Sequence, residues 1–159
     1  MGEELLSASG SQGSFNNPHE RVDTMPEGRV LVVDDEPDIR KTIKLTLNKA
    51  GFDVVEAEDG AAGIEAIRSG DNPIAVDVII CDMQMPKVNG MEAVAYFRQQ
   101  FPSVSVIVFT GNPDIRGANE LFKQGIVEYL TKPIEPEKLV EAVKKAAGGH
   151  VLFKDQFAT

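Results

Sequence analysis

The sequence predicts a doubly wound α/β domain, a five-stranded parallel sheet with helices on both faces. Two observations carry that prediction. Short apolar runs alternate with stretches of helical period through residues 28–147, the repetition that builds a parallel sheet with right-handed crossovers. One run, Val78 to Cys81, is unbroken, as expected of a strand buried on both faces, and it ends abruptly on Asp82.

Taken in order, Arg29–Val33 reads as the first strand, running into Asp34-Asp35-Glu36. Pro37 suits the first position of a helix. That helix carries Ile39, Ile43 and Leu47 at four-residue spacing and ends at Gly51. Its Arg40, Lys41, Lys44 and Lys49 are expected to form a solvated face. Phe52–Ala57 alternates enough to be an edge strand. Asp59 is placed to cap a helix from Gly60 to about Ser69, packing through Ala62, Ile64, Ala66 and Ile67. Gly70-Asp71-Asn72-Pro73 forms the turn into the central strand, which Pro86 ends soon after Asp82. A helix from Met91 to Gln100 should turn Met91, Val94, Ala95 and Phe97 inward. Val104–Phe109 is the fourth strand, followed by Thr110-Gly111. A helix from about Pro113 to Gln124, stopped by Gly125, leads to a fifth strand at Ile126–Leu130 and then Thr131-Lys132-Pro133. The last helix, Pro136 to Ala147, should break at Gly148-Gly149.

Composition bounds the function. The chain has 159 residues, 42% of them apolar, a formal charge of −9 and one cysteine, Cys81. That charge argues against direct nucleic-acid binding, which calls for a basic patch. A lone cysteine in an apolar run is a core residue and suits a reducing compartment. No apolar stretch reaches membrane-spanning length and no signal-peptide pattern is present. A soluble, cytoplasmic protein is expected. Residues 1–27, rich in Ser, Gly and Asn, read as a flexible leader, and 148–159 as a short C-terminal tail.

Four strand ends carry polar groups: Asp34 and Asp35, Asp82, Thr110, and Lys132. In a parallel sheet they share one rim, where open α/β sheets place their ligands. Two carboxylates about 4 Å apart repel by roughly 4 kcal/mol at an effective dielectric of ~20. Asp34, Asp35 and Asp82 therefore titrate together or hold a cation, and carboxylate oxygens without His or Cys suit Mg²⁺. With Lys132 and the Thr110 hydroxyl beside it, such a rim points to phosphoryl transfer onto an aspartate. Asp82, ending the central strand, is the expected nucleophile.

Asp34-Asp35, then Asp82-Met83-Gln84-Met85-Pro86 with Gly90, then Thr110-Gly111, and last Tyr129-Leu130-Thr131-Lys132-Pro133 resemble the receiver domain of two-component response regulators. The resemblance spans about residues 28–147. It implies a flavodoxin-like sheet of order 2-1-3-4-5 and phosphorylation of Asp82 by the phosphohistidine of a histidine kinase or phosphotransfer protein. Mg²⁺ would be held by Asp35, Asp82 and the main-chain carbonyl of Gln84, with Asp34 acting through water. Lys132 would contact the phosphoryl oxygens, and Thr110 and Tyr129 would switch the surface around the fourth helix and fifth strand. Output would pass to a protein target, or to a homodimer through the fourth helix, fifth strand and fifth helix. Such a domain turns over no outside substrate. With only Gly148 to Thr159 after the last helix, it is expected to act without an attached effector, the alternative being that this tail is the stub of a linker in a longer regulator or hybrid kinase. The competing reading is a Mg²⁺-dependent aspartyl-phosphate hydrolase of the haloacid dehalogenase type. The Asp34-Asp35-Glu36 run lacks the Asp-x-Asp spacing of those enzymes. A nucleotide-binding module is disfavoured too, because the first strand is followed by carboxylates rather than a Gly-rich turn.

Overall fold

The computed structural model describes residues 26–85 and 89–158, and the side chains among them as far as Gly148. The expected leader lies outside the described residues apart from Pro26 and Glu27. The chain runs β1 (Gly28–Val33), α1 (Pro37–Lys49), β2 (Phe52–Ala57), α2 (Gly60–Ile67), α3 (Asn72–Ala75) and β3 (Val76–Asp82). It continues through α4 (Gly90–Gln100), β4 (Ser105–Thr110), α5 (Ile115–Gln124), β5 (Glu128–Thr131) and α6 (Pro136–Ala158). All neighbouring strands are parallel, in the order β2-β1-β3-β4-β5. The doubly wound fold and the sheet order expected from the sequence are both present.

Side chains alternate across a strand, so each central strand feeds two cores. Leu31, Val33, Ile79, Cys81, Val106 and Val108 pack on one face with Ile67 of α2, Ala93, Val94 and Phe97 of α4, and Leu121 of α5. Val30, Val32, Val78, Ile80, Ile107 and Phe109 pack on the other with Ile43 and Leu47 of α1 and Leu139, Val143, Ala146 and Ala147 of α6. Every residue of β3 is buried, as the apolar run predicts, while β2 lies at the edge with only Phe52 and Ala57 buried. Fully burying one such aliphatic or aromatic side chain is worth about 1.5–3 kcal/mol. Among the described residues, no helix is long and apolar enough to cross a membrane.

Several boundaries differ from expectation, each for a local reason. Gly148-Gly149 does not break the last helix, which continues to Ala158. A glycine ends a helix by turning left-handed, and Gly51, Gly70 and Gly125 have positive φ whereas Gly148 does not. The turn before β3 contains the one-turn helix α3, tied down by Arg29, whose Nη1 donates to Asp71 (2.7 Å) and Asn72 (2.9 Å). The fifth strand begins at Glu128 rather than Ile126, because Ile126 belongs to the cap of α5. There Gly125, at φ 104°, and Ile126 both donate their N–H groups to the Leu121 carbonyl. The same helix starts at Ile115, with Asp114 capping the N–H groups of Arg116 and Gly117. Ala95 is exposed; the buried stripe of α4 is Gly90, Ala93, Val94 and Phe97. Arg40 and Lys44 are not a purely solvated face, since both pair with Glu56 at the end of β2 (3.1 and 3.3 Å). Asp59 caps α2 as expected, accepting from the Ala62 N–H at 2.7 Å.

Neighbouring elements brace both ends of the strands. Arg98 of α4 donates to the carbonyls of Gln124 (3.2 Å), Pro102 (3.0 Å) and Val104 (3.2 Å), joining the last turn of α5 to the approach to β4. Asn89 and Glu92 form a capping box at the start of α4. A Cβ on Gly90 would lie 2.5 Å from Met83 Cα and 2.8 Å from the Asp82 carbonyl oxygen, both backbone atoms. Gly90→Ala should therefore cost about 1–3 kcal/mol by overpacking. A thermal melt is expected to show the midpoint falling by several degrees, and an unchanged midpoint would mean the loop after Asp82 yields freely.

Candidate functional site

The parallel register delivers the polar residues to one rim. Asp34 follows β1, Asp82 closes β3, Thr110 closes β4 and Lys132 follows β5. Asp34, Asp82 and Thr110 are buried (0%, 1% and 2% exposed), whereas Asp35 and Glu36 are exposed. One carboxylate oxygen from each of Asp34, Asp35, Glu36 and Asp82 falls in a group spanning no more than 4.8 Å.

Lys132 joins the cluster from the far side. Its Nζ lies 3.0 Å from Glu36 Oε1, 3.2 Å from Asp82 Oδ2 and 3.5 Å from Asp34 Oδ2, and 4.9 Å above the centre of the Phe109 ring. Its backbone N–H donates to the Thr110 carbonyl at 2.8 Å, fixing where the side chain starts. Asp82 Oδ1 accepts from the Gln84 N–H at 3.1 Å, which keeps the Gln84 backbone beside the carboxylate. Asp34 Oδ1 accepts from the Glu36 N–H at 2.9 Å, and the Asp34 carbonyl accepts from Arg40 Nη1 at 2.6 Å. Asp34 Oδ2 is buried without a hydrogen-bond donor.

These surroundings set the charge states. Burial pushes the Asp34 carboxyl up to about 6; the Glu36 N–H opposes the shift and the charge of Asp82 adds to it. Burial alone would lower Lys132, but its hydrogen bond to Glu36 and the charges of Asp34 and Asp82 outweigh that and raise it. Burial pushes the Cys81 thiol up, so this residue stays a neutral part of the core. An orphaned, desolvated carboxylate oxygen beside three further carboxylates fits a hard divalent cation. The donors are all oxygen, with no thiolate or imidazole among them, in keeping with the Mg²⁺ expected from the sequence.

Thr110 and Tyr129 sit apart from the acidic cluster. Thr110 Oγ1 accepts from the Asn112 N–H at 3.0 Å. Tyr129 is half-buried, packs on the core that holds Val108 and Leu121, and accepts from the Asp114 N–H at 3.2 Å through its hydroxyl. Tyr129 pairs in register with Val108, two residues before Thr110, so these side chains leave the same face of the sheet. The structure thus gathers Asp34, Asp35, Asp82, Gln84 and Lys132 directly, with Thr110 and Tyr129 along the neighbouring strands. Sequence reasoning missed Glu36, which pairs with Lys132, and Arg40, which holds the Asp34 carbonyl. Glu36 was visible only as the third acid of the Asp34-Asp35-Glu36 run.

Residues 30–144 match the family described as the response regulator receiver domain. The chain belongs to that family. The receiver domain is 34% identical over 117 residues to the transcriptional regulatory protein GlrR of Escherichia coli K12, covering 74% of this chain and 26% of that protein. It is 33% identical over 135 residues to hybrid signal transduction histidine kinase D of Dictyostelium discoideum, covering 84% of this chain and 8% of the kinase. Among solved structures it is similar to a response regulator receiver domain protein from Clostridium thermocellum. The TM-score there is 0.74 and the identity 33%, over 79% of this chain and 98% of that one. The chain spans about a quarter (26%) of the length of the first of these relatives.

The raised Asp34 pKa has a consequence for metal-free stability. A carboxyl that titrates higher folded than unfolded contributes its full stabilisation below the unfolded value near 3.8 and loses it as pH rises through about 6. Between pH 4 and 6.5 the metal-free midpoint should therefore carry a falling contribution from Asp34. Asp34→Asn should flatten that trend, raise the midpoint at pH 7 by the equivalent of about 1–2 kcal/mol, and weaken Mg²⁺ binding. Parallel melts across pH, with and without Mg²⁺, measure all three effects; a variant less stable than wild type at pH 7 would contradict the assignment.

Proposed function

We propose that this chain is the phosphoacceptor of a two-component system, taking a phosphoryl group onto Asp82 from the phosphohistidine of a histidine kinase or phosphotransfer protein. The observation that carries this reading is the setting of the Asp82 carboxylate. It is buried at the end of the central strand, with Lys132 Nζ 3.2 Å from one oxygen and the Gln84 N–H 3.1 Å from the other. Asp34, Asp35, Asp82 and the Gln84 carbonyl would hold Mg²⁺, Asp34 through water, and the ion would offset charge on the transferring group.

Asp82 supplies the attacking oxygen: the new bond joins it to phosphorus as the bond from phosphorus to the donor imidazole breaks. Lys132 is a fixed cation for the phosphoryl oxygens, and its ammonium lies 4.9 Å over the Phe109 ring. Arg40 and the Glu36 N–H hold the Asp34 backbone and carboxylate in place. Thr110 turns toward the phosphoryl group, giving up its bond to the Asn112 N–H, and Tyr129 follows inward. The surface of α5, β5 and α6 then changes for a downstream protein or a second copy of the chain. The protein acts on itself and turns over no outside substrate.

Acetyl phosphate with Mg²⁺ should add one phosphoryl mass to the intact protein. The addition should disappear in Asp82→Asn and on chelation, and full labelling of the Asn variant would remove Asp82 from this role. Thr110→Ala is expected to label still, while losing most of the amide shift changes near Tyr129 that a beryllofluoride mimic produces in wild type. Identical shifts in the two proteins would refute the coupling.

A further inference from the structure

Glu36 occupies the N-cap of α1, where an acidic or hydroxyl side chain ordinarily accepts a hydrogen bond from the first turn. It does not. Its backbone is extended (φ −94°, ψ 110°) and its side chain makes no capping bond. Instead the carboxylate reaches Lys132, 96 residues away in sequence, at 3.0 Å. That is the shortest of the three carboxylate contacts of Lys132. Glu36 is also far more exposed than the other two partners, at 57% against 0% for Asp34 and 1% for Asp82.

The three partners of Lys132 are not equivalent once the pocket fills. In the reading above Asp82 would hold a divalent cation directly and Asp34 through water, and that cation would repel the ammonium as the two carboxylates draw it in. Glu36 also brings an oxygen into the group spanning 4.8 Å, but it is exposed and is not among the ligands of the reading above. It lies on the open side, attached to a backbone already pinned by Asp34 Oδ1 and followed by the rigid Pro37. We infer that Glu36 is a positioning residue: a counter-ion bracket that holds Lys132 at the pocket mouth when metal is bound and no phosphoryl group is present. The inference rests on the phosphoacceptor reading above. An incoming phosphoryl group must take Lys132 from Glu36, so Glu36 both keeps the lysine ready and opposes loading by small anionic donors.

The test uses the whole chain with saturating Mg²⁺ and two measurements. The first is the order parameter of the Lys132 Cε methylene by NMR relaxation; the second is the rate of labelling by acetyl phosphate. Glu36→Gln should lower the Lys132 order parameter and speed labelling about fivefold, the effect of removing one charge some 4 Å away in a water-like dielectric. Glu36→Asp keeps the charge but is one methylene too short, so it should loosen Lys132 equally with a smaller gain in rate. If Lys132 stays as ordered in either variant as in wild type, or labelling of Glu36→Gln is unchanged or slower, the bracket is overturned. Failure of wild type itself to label would instead strike the phosphoacceptor reading, which separates the two.

Discussion

Everything at the rim depends on one lysine meeting two buried carboxylates. Asp34 and Asp82 are removed from water almost completely, and an unpaired buried charge costs several kcal/mol. Lys132 reaches them from the end of β5, past β4, about 10 Å to the Asp82 strand and a further strand spacing to Asp34. Its ammonium sits over the Phe109 ring near the end of β4. The sheet order matters for this reason: interposing another strand would put the ammonium out of reach of both acids.

The rest of the architecture holds those three residues still. β3 has a strand on each side and a helical layer on each face, so Asp82 ends an element with no freedom to shift. The β1–α1 loop is fixed from two directions, by Arg40 on the Asp34 carbonyl and by Asp34 on the Glu36 N–H. Arg40 is itself oriented by Glu56 on the edge strand, which gives β2 a part in the site although it contributes no residue to the pocket. Burial in that setting is what raises the Asp34 carboxyl.

Much of this was legible in the sequence, and the reason is geometric. Strand ends in a parallel sheet must share a rim, so Asp34, Asp82, Thr110 and Lys132 could be brought together from order alone. The apolar run before Asp82 and the caps at Asp59 and Gly125 are local signals, and local signals survived. Glu36 and Arg40 escaped because side-chain reach across a loop has no periodicity. Arg40 looked like a surface cation by its helical neighbours, yet its partners are a carbonyl six residues back and Glu56 sixteen residues on. Gly148-Gly149 misled for a related cause: glycine permits a left-handed turn but does not require one. Ala95 misled because alanine fits either face of a helix.

The two ends of α5 are held very differently. At its carboxyl end the chain is clamped: Arg98 binds the Gln124 carbonyl, Gly125 closes the cap, and Leu121 supplies the helix's one buried side chain. At its amino end Ile115 stands 80% exposed, and the Tyr129 hydroxyl accepting from the Asp114 N–H ties that end to the sheet. Such a helix is a lever with a fixed fulcrum. Were Tyr129 to move as proposed above, the helix would tilt about the Arg98 end, with movement growing with distance from the clamp. The first turn of α5 would then sweep the widest arc, which would make the most exposed apolar residue of the helix also its best-placed pointer.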